Sequence, residues 1–244
     1  MMHELLGGAN TERAVNAIID HIVVNKLSPG DKLPSERDLA ELIGVGRPSV
    51  REALKIASAF GIVSIKQYDG LYVAERESRV LSLPFKIRMD MGQFDLAQLF
   101  ELRRIFEVEV MKLTAGRITD EQIVKLEGIL EKEDVENASQ FAECDTEFHS
   151  TIYESTGNAF LVMLMQIVNE LSSLSRRITG TFEETRYIVH SDHVEILNSL
   201  KSRDPARCGK SMLNHIDHLQ KIIEIDTTVY ERVFQTQLRE ISEG

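Results

Sequence analysis

Asp145 and His149 stand four residues apart in ECDTEFHSTIYESTGN, a stretch whose pattern predicts a helix. Side chains at this spacing share one face of a helix, so both could bind one metal ion, although such pairs are more often solvated surface pairs. Two further histidines, His193 and His215, lie on later predicted helices. One carboxylate oxygen and three imidazoles suit Zn²⁺, Ni²⁺ or Mn²⁺. The residues permit such a site, but spacing alone cannot bring three helices together.

A second group of residues is suited to nucleic acid. Arg47, Arg51 and Lys55 recur every four residues and therefore lie along one face of a predicted helix. That helix follows another short helix across the turn Gly44-Val45-Gly46. Two short helices joined by a tight turn, the second with a basic face, are typical of a helix–turn–helix that reads the DNA major groove. The alternative is an ordinary amphipathic helix with a solvated charged face.

The elements around this stretch predict a small DNA-binding domain over residues 1–75. A helix is expected over residues 11–26, and LSPGDKL is expected to form a turn. Ser35 is suited to cap the next helix, and Pro48 suits the first turn of the one after it, which ends near Gly61. Two short strands, Ile62 to Lys66 and Leu71 to Ala74, then predict a β-hairpin, the wing.

The remainder of the chain predicts an all-helical second domain. Residues 76–93 contain Pro84 and Gly92 and are expected to be a linker with room for a short helix. From residue 94 to 244 no stretch favours a strand. The predicted fold is therefore mainly α, a winged helix–turn–helix followed by a bundle of six to seven helices. Helices are expected near 95–115, 119–133, 138–155, 158–179, 183–202 and 205–236, the last capped by Asp204 with Pro205 in its first turn.

The net charge of −11 does not exclude DNA binding, because the charge is unevenly distributed. Residues 1–73 hold 8 Lys/Arg and 9 Asp/Glu, whereas residues 74–244 hold 20 and 30. The candidate DNA-binding domain is thus nearly neutral, with its positive charge concentrated on one helix. Local charge is what meets phosphate, so we expect binding that weakens steeply with salt.

Other features predict a cytoplasmic protein. No apolar run approaches the roughly 18 residues of a membrane span, and the N-terminal MMHELLGGANTER does not resemble a signal peptide. The two cysteines, Cys144 and Cys208, form no CxxC pair and predict no disulfide framework.

The stretch LPSERDLAELIGVGRPSVREAL resembles the winged helix–turn–helix signature of the GntR family of bacterial transcription regulators. The resemblance implies that Arg47, Ser49 and Arg51 contact bases and phosphates, and that Arg37 holds a phosphate or an adjacent base. It implies that Gly70 lets the wing approach the duplex closely.

Two departures stand at the margins of this signature. Gly46 replaces the serine usual before the first recognition-helix arginine, and Tyr68 replaces the first glycine of the wing. The first departure removes a possible cap or phosphate contact, and the second puts a bulky side chain on the wing.

The C-terminal region is similar to the FCD effector domain of the FadR subfamily of GntR regulators. The similarity rests on DxxxH, HxEI and MxxHI, which match Asp145 and His149, then His193, then His215. The resemblance implies that these four residues bind a divalent metal, which helps to hold a small organic acid. His190 and His218 are competing histidines, each three residues from an implied ligand, and we expect them at the surface or pocket edge.

A further match is ELRRIFEVEV, where an ExRxxxE pattern falls on Glu101, Arg103 and Glu107. The resemblance implies that Arg103 faces the pocket and binds the carboxylate of the effector. Without the family, a surface salt bridge from Arg103 to Glu107 would be the preferred interpretation.

The predicted function is a transcription regulator. The resemblance implies a repressor, since repression relieved by ligand is the commoner logic of the family. The resemblance implies a homodimer on a near-palindromic, double-stranded DNA operator, with a small carboxylic acid as effector and no membrane partner. A metal-dependent hydrolase or lyase with an appended DNA-binding module is the alternative. No GxSxG or HExxH motif supports it, and no catalytic residue is predicted. In a third interpretation the helical domain only dimerises, without metal or ligand.

Overall fold

A computed structural model describes residues 8–67, 69–74, 78–173, 175–176, 180 and 182–225 of the 244-residue chain. The chain divides between Leu83 and Pro84 into two compact units. Each unit has its own apolar core, and each is described by itself.

The first unit is a winged helix–turn–helix. Its apolar core gathers buried residues of all three helices and of the sheet. A three-stranded antiparallel sheet has the strand order β1-β3-β2. In chain order its elements are α1 (Ala9–Val24), β1 (Lys32–Leu33), α2 (Glu36–Ile43), α3 (Arg47–Ala59), β2 (Val63–Lys66) and β3 (Gly70–Val73).

Local chemistry sets the ends of the two helices that form the helix–turn–helix. The hydroxyl of Ser35 accepts a hydrogen bond from the Asp38 backbone N–H and caps α2. Gly44 ends α2 in the left-handed conformation, with φ 71°, which glycine adopts without strain. Gly46 caps α3 without any side-chain hydrogen bond, so the serine usual in the family has no substitute at this position.

The strand β1 was not predicted, since LSPGDKL was expected to form only a turn. Lys32 pairs with Tyr72 and Leu33 pairs with Leu71 in antiparallel register. The side chain of Leu33 is buried in the core of the unit. Two residues are too few to show the alternating pattern of a strand, so burial of Leu33 and pairing with β3 decide the structure here.

The expected linker contains a longer helix than its composition suggested, α4 (Ser78–Asp90), with Pro84 inside it. The helices of the second unit then follow as α5 (Leu96–Ala115), α6 (Asp120–Lys132), α7 (Ala138–Glu154), α8 (Ala159–Leu171), α9 (Glu183–Ser202) and α10 (Pro205–Ile225). The predicted helix over 158–179 is interrupted after Leu171, where α8 ends, and residues 173, 175 and 176 are helical again. Residues 177–179 of this prediction and residues 226–236 of the last one lie outside the described residues.

Polar residues cap the helices of the second unit and fix their starting points. Asp95 with Gln98, and Thr119 with Gln122, form reciprocal capping boxes at α5 and α6. Asp204 accepts hydrogen bonds from the first backbone N–H groups of α10, as predicted.

Between these ends the helices pack around one continuous apolar core, in which α10 packs against both α5 and α9, and α7 packs against α6 and α8. No strand occurs in the part of this unit that the structure describes. None of the described helices is long and apolar enough to cross a membrane.

Candidate functional site

Three helices of the second unit bring four predicted ligands into its interior. Asp145 and His149 lie one turn apart on α7, His193 lies on α9 and His215 lies on α10. All four side chains are buried. Polar side chains in a core need partners, so a group of this kind calls for an account of what satisfies it.

The three imidazoles form one cluster. One ring nitrogen from each of His149, His193 and His215 lies within 4.8 Å of the others. The ring centroids are 5.4 Å apart for His149 and His193, 5.3 Å for His149 and His215, and 5.2 Å for His193 and His215. Three imidazoles gathered in this way are ligands that could together hold one divalent ion such as Zn²⁺.

Several nitrogens of this cluster have no hydrogen-bond partner within the described chain. They are Nδ1 of His149, Nε2 of His193 and both ring nitrogens of His215. Asp192 Oδ2 lies 3.4 Å from His215 Nδ1. Unpaired buried nitrogens are costly, and a divalent cation is the partner that suits several convergent imidazoles. The donor set therefore fits the metal that the resemblance implies.

Asp145 lies at the edge of the cluster and is shared with an arginine. Its Oδ1 lies 3.4 Å from His193 Nε2 and 3.9 Å from His149 Nε2, while its Oδ2 lies 2.9 Å from Arg176 Nε. Although burial opposes ionisation, Arg176 and the histidines hold the pKa of the Asp145 carboxyl well below its usual range. The carboxylate is thus ionised beside the imidazoles.

Sequence reasoning did not identify Arg176. Besides its contact with Asp145, the Arg176 guanidinium donates to the side-chain oxygen of Asn169 at 2.8 Å and to the Asn169 backbone carbonyl. Arg176 follows α8 and has no fixed sequence spacing to Asp145, so only the packing of the helices reveals the pair.

The three histidines differ in their protonation. Burial lowers the pKa values of His149 and His215, and the neighbouring histidines lower them further. Burial opposes the charge on His193 as well, but the carboxylates of Glu133 and Asp145 raise its pKa to about 10. His149 and His215 therefore offer neutral rings near pH 7, whereas His193 holds a proton between two carboxylates.

Arg103 is buried on α5, with a side-chain exposure of 2%, so its bond to Glu107 is not a surface salt bridge. Its Nε donates to Glu107 Oε1 at 2.6 Å, and the Tyr153 hydroxyl donates to Glu107 Oε2 at 3.2 Å. The Nη1 of Arg103 has no hydrogen-bond partner within the described chain. Glu101, the first residue of the ExRxxxE pattern, is exposed. The unpaired Nη1 is a free donor for an anionic group.

The competing histidines each contact a carboxylate. His190 Nδ1 lies 2.7 Å from Glu133 Oε2, and His218 Nδ1 lies 2.9 Å from Asp192 Oδ1. Neither belongs to the cluster that could hold an ion. Glu133 was missed by sequence reasoning, because one glutamate at the end of a predicted helix carries no signal.

In the first unit, the predicted DNA-contacting residues lie on α2, α3 and the wing. Arg47 and Arg51 are exposed on α3, and Ser49 is half-buried beside them. Arg51 forms a two-pronged contact with Glu36, from Nη2 to Oε1 at 2.8 Å and from Nε to Oε2 at 3.3 Å. Arg37 is exposed on α2.

The wing places Gly70 at φ 137°, where a side chain would be strained. Two lysines flank an aromatic ring on the same sheet: Lys66 Nζ lies 4.6 Å and Lys32 Nζ 5.5 Å from the centroid of Tyr72. Tyr68, the departure noted at the wing, lies outside the described residues.

A winged helix–turn–helix followed by a separate helical unit defines a class of DNA-binding protein that carries a second domain. Comparison with known families agrees: residues 10–73 match "Bacterial regulatory proteins, gntR family", and residues 98–218 match "FCD domain". The chain belongs to the GntR family of transcription regulators and carries an FCD effector domain.

Individual relatives support the same assignment. The chain is 31% identical over 211 residues to the HTH-type transcriptional regulator LutR of Bacillus subtilis (strain 168), covering 81% of this chain and 94% of that protein. It is 30% identical to the Uxu operon transcriptional regulator of Escherichia coli (strain K12), covering 86% of each. Among solved structures, Streptococcus agalactiae GntR matches with a TM-score of 0.67 and 27% identity, covering 86% of this chain and 99% of that one.

These comparisons confirm the prediction of a DNA-binding transcription regulator. The families and relatives are regulators and not enzymes, so the chain is not an enzyme, and the metal-dependent hydrolase or lyase alternative is set aside.

Proposed function

We propose that this regulator is a cytoplasmic repressor whose operator affinity is controlled by a small carboxylic acid bound at a metal site in the helical domain. In this proposal residues 1–75 bind DNA, residues 76–93 link the domains, and residues 94–244 bind the effector and dimerise. A relative of 27% identity is described as the HTH-type transcriptional repressor NanR of Cronobacter sakazakii, which supports repression.

The observation that carries the proposal is the buried cluster of His149, His193 and His215, with its unpaired ring nitrogens. These three residues would hold the ion, and Asp145 would complete the set through its oxygen on the histidine side. A bound divalent cation supplies positive charge that attracts a carboxylate ligand. Zn²⁺, Ni²⁺ and Mn²⁺ all accept this donor set.

Besides the ion, Arg103 would provide a second positively charged group to bind the carboxylate of the effector. Its guanidinium is held in place by Glu107, and Nη1 remains available in the interior. A planar guanidinium suits a carboxylate better than an ammonium group does, because two N–H groups can meet two oxygens. The carboxylate of the effector is therefore expected to contact both the ion and Arg103.

In the DNA-binding unit, Arg47, Ser49 and Arg51 would contact base edges and phosphates in the major groove. Arginine paired to guanine is the commonest specific contact there. Arg37 would hold a phosphate or an adjacent base, and Gly70 would allow close approach of the wing. A homodimer would read the two half-sites of a near-palindromic operator.

Metal content is the direct test of the site. The double variant His149→Ala/His215→Ala should lose stoichiometric metal, because two of the four proposed ligands are gone. Elemental analysis of purified protein, before and after a chelator, measures this. The matched control is His21→Ala on α1, which should retain the metal. One ion per chain in the double variant would refute the site.

The effector is identified by a thermal-shift screen of small carboxylic acids on the zinc-loaded protein. An acid present at about one hundred times its dissociation constant raises the free energy of unfolding by ~2.7 kcal/mol, which such a screen detects. An acid that also releases the protein from its operator in a mobility-shift titration would support repression relieved by ligand. Tighter operator binding with the acid would contradict it.

A further inference from the structure

Glu133 is a carboxylate buried at the end of a helix that carries none of the proposed ligands. It directly follows α6, and its side chain is fully buried. The last turn of α6 and the adjacent residue face α9, against which α6 packs. An ionised group in this position must be satisfied by hydrogen bonds from its neighbours.

Two imidazoles of α9 provide these hydrogen bonds, one for each oxygen. Glu133 Oε1 lies 2.8 Å from Nδ1 of His193, and Oε2 lies 2.7 Å from Nδ1 of His190. A carboxylate oxygen only accepts, so Nδ1 of His193 carries a proton in either protonation state of the ring. Nε2 is therefore the nitrogen of His193 that remains for an ion.

The direction of the ring agrees with this assignment. Nε2 of His193 lies 3.4 Å from Asp145 Oδ1 and has no hydrogen-bond partner in the described part of the chain. The ring is also stacked on Phe148, with centroids 4.7 Å apart and an interplanar angle of 27°. Glu133 on one edge and Phe148 on one face hold the ring so that Nε2 faces the cluster.

The other two histidines of the cluster lack an equivalent anchor. Nδ1 of His149 has no partner within the described residues, and Nδ1 of His215 lies 3.4 Å from Asp192 without a well-formed bond. His193 is thus the ligand that is oriented before an ion arrives, and Glu133 is the residue that orients it.

We propose that Glu133 is a positioning residue for the metal site, acting through His193 and linking α6 to that site. The inference rests on the proposed metal-dependent function. Carboxylates that orient ligating histidines raise metal affinity, and their loss costs roughly 10–100-fold. Glu133→Ala should therefore weaken zinc binding by about that factor. Glu133→Gln should weaken it less, because the amide oxygen still accepts from Nδ1 while the charge is lost.

The measurement is competition for Zn²⁺ between the full-length protein and a chromophoric chelator. Visible absorption of the Co²⁺-loaded protein reports the geometry of the ligands independently of affinity. His190→Ala is the matched control, because it removes the hydrogen bond from His190 to Glu133 and leaves the one from His193. It should change zinc affinity by no more than about threefold, well below the loss expected for Glu133→Ala. Far-UV circular dichroism and melting in chelator establish that each variant folds.

The outcomes separate this inference from the proposed function. Wild-type protein that binds neither ion would refute the metal site itself. Wild-type protein that binds both ions, with Glu133→Gln and Glu133→Ala unchanged in affinity and Co²⁺ spectrum, would refute only the role of Glu133. Should Glu133→Ala not fold, Glu133→Gln keeps the volume of the side chain and decides the question alone. A loss in His190→Ala equal to that in Glu133→Ala would also overturn the proposal.

Discussion

At the scale of single residues, Arg103 and Glu107 form an ion pair deep in the second unit, with side-chain exposures of 2% and 1%. Removing one partner of a buried pair leaves an uncompensated charge, which costs about 3–5 kcal/mol. Among the described residues, Glu107 would then retain only the hydrogen bond from the Tyr153 hydroxyl. We therefore predict that Arg103→Ala lowers the free energy of unfolding by about 3–5 kcal/mol in urea titrations.

The double variant Arg103→Ala/Glu107→Ala is the control for this prediction. It removes both charges, so it should recover part of the stability lost in Arg103→Ala, despite the larger cavity. Arg103→Ala within about 1 kcal/mol of wild type, the range of exposed pairs, would contradict the buried pair.

His193 makes the stability of the metal-free protein depend on pH. Its pKa is raised from 6.5 to about 10 in the folded chain by Glu133 and Asp145, against the effect of burial. Below pH 6.5 both states hold the proton, and the stabilisation is complete. Between pH 6.5 and about 10 the unfolded chain has released it, so the stabilisation declines and is lost above that range.

The measurement is the free energy of unfolding in chelator for wild type and His193→Gln. We expect the advantage of wild type to shrink as the pH rises from 6.5 to about 10. His21→Gln on α1 is the control for the general effect of losing an imidazole. A difference between wild type and His193→Gln that stays constant over this range would disprove the charged state of His193.

The buried histidine cluster shows how far sequence reasoning reaches at this scale. His149, His193 and His215 could be named because a family pattern assigns them, and packing then places their rings together. Arg176 and Glu133 could not be named, because each meets the cluster through the packing of helices that are distant in sequence. A partner chosen by tertiary packing leaves no periodic signal along the chain.

At the scale of elements, the winged helix–turn–helix and the all-helical second domain are confirmed. Long amphipathic helices with capping residues are the elements that sequence periodicity predicts best. The strand β1 was missed because two residues show no period, and α4 was underestimated because Pro84 suggested a break. The strand β1 depends on pairing with β3, which lies far along the chain.

Two glycines of the DNA-binding unit should respond in opposite ways to substitution. Gly70 has φ 137°, and an added Cβ would come within 3.1 Å of Lys32 Cε, so Gly70→Ala should destabilise the unit by roughly 1 kcal/mol or more. Gly46 has φ −67° and ψ 146°, which serine adopts readily. Gly46→Ser should therefore add a cap to α3 and stabilise by about 0.5–1 kcal/mol.

Thermal melting of both variants checks this pair of predictions, and operator binding adds a second readout. Gly70→Ala should also weaken DNA binding, since Gly70 is proposed to let the wing approach the duplex. Equal effects of the two substitutions on stability would show that backbone conformation does not distinguish these positions.

The recognition helix α3 gives the prediction for DNA affinity. Arg47→Ala and Arg51→Ala should each weaken specific operator binding by about 1–3 kcal/mol and leave the second unit folded. In the free protein Arg51 already pairs with Glu36, and this contact competes with the contact to DNA. The loss of operator affinity in Arg51→Ala is therefore expected at the lower end of this range. Mobility-shift titrations at several salt concentrations measure both affinity and the number of phosphate contacts.

Lys125→Ala is the matched control, because it removes one positive charge from α6, outside the DNA-binding unit. Its operator affinity should match wild type. Unchanged affinity in both arginine variants would remove α3 from the role of recognition helix.

At the scale of the whole molecule, the distribution of charge separates two tasks. Residues 1–73 are almost neutral overall and present arginines on α3, whereas residues 74–244 carry most of the excess of Asp and Glu. The acidic part repels DNA phosphates, so attraction is confined to the DNA-binding unit. The carboxylic acid proposed as effector would then be attracted by local positive charge, which Arg103 and a bound cation would supply within a domain of opposite sign.

If one regulator binds operator and acid in competition, the two ligands must weaken each other by the same factor. We predict a coupling of about 1–3 kcal/mol, roughly 5–150-fold, measured once as operator affinity with and without acid and again as acid affinity with and without operator. Arg103→Lys keeps a cation beside Glu107 but loses the planar fork, so it should weaken acid binding while operator affinity without acid stays near wild type. Equal losses of acid affinity and operator affinity in Arg103→Lys would make Arg103 a structural residue only. Unequal coupling factors in the wild type would show that acid and operator do not act on one shared equilibrium.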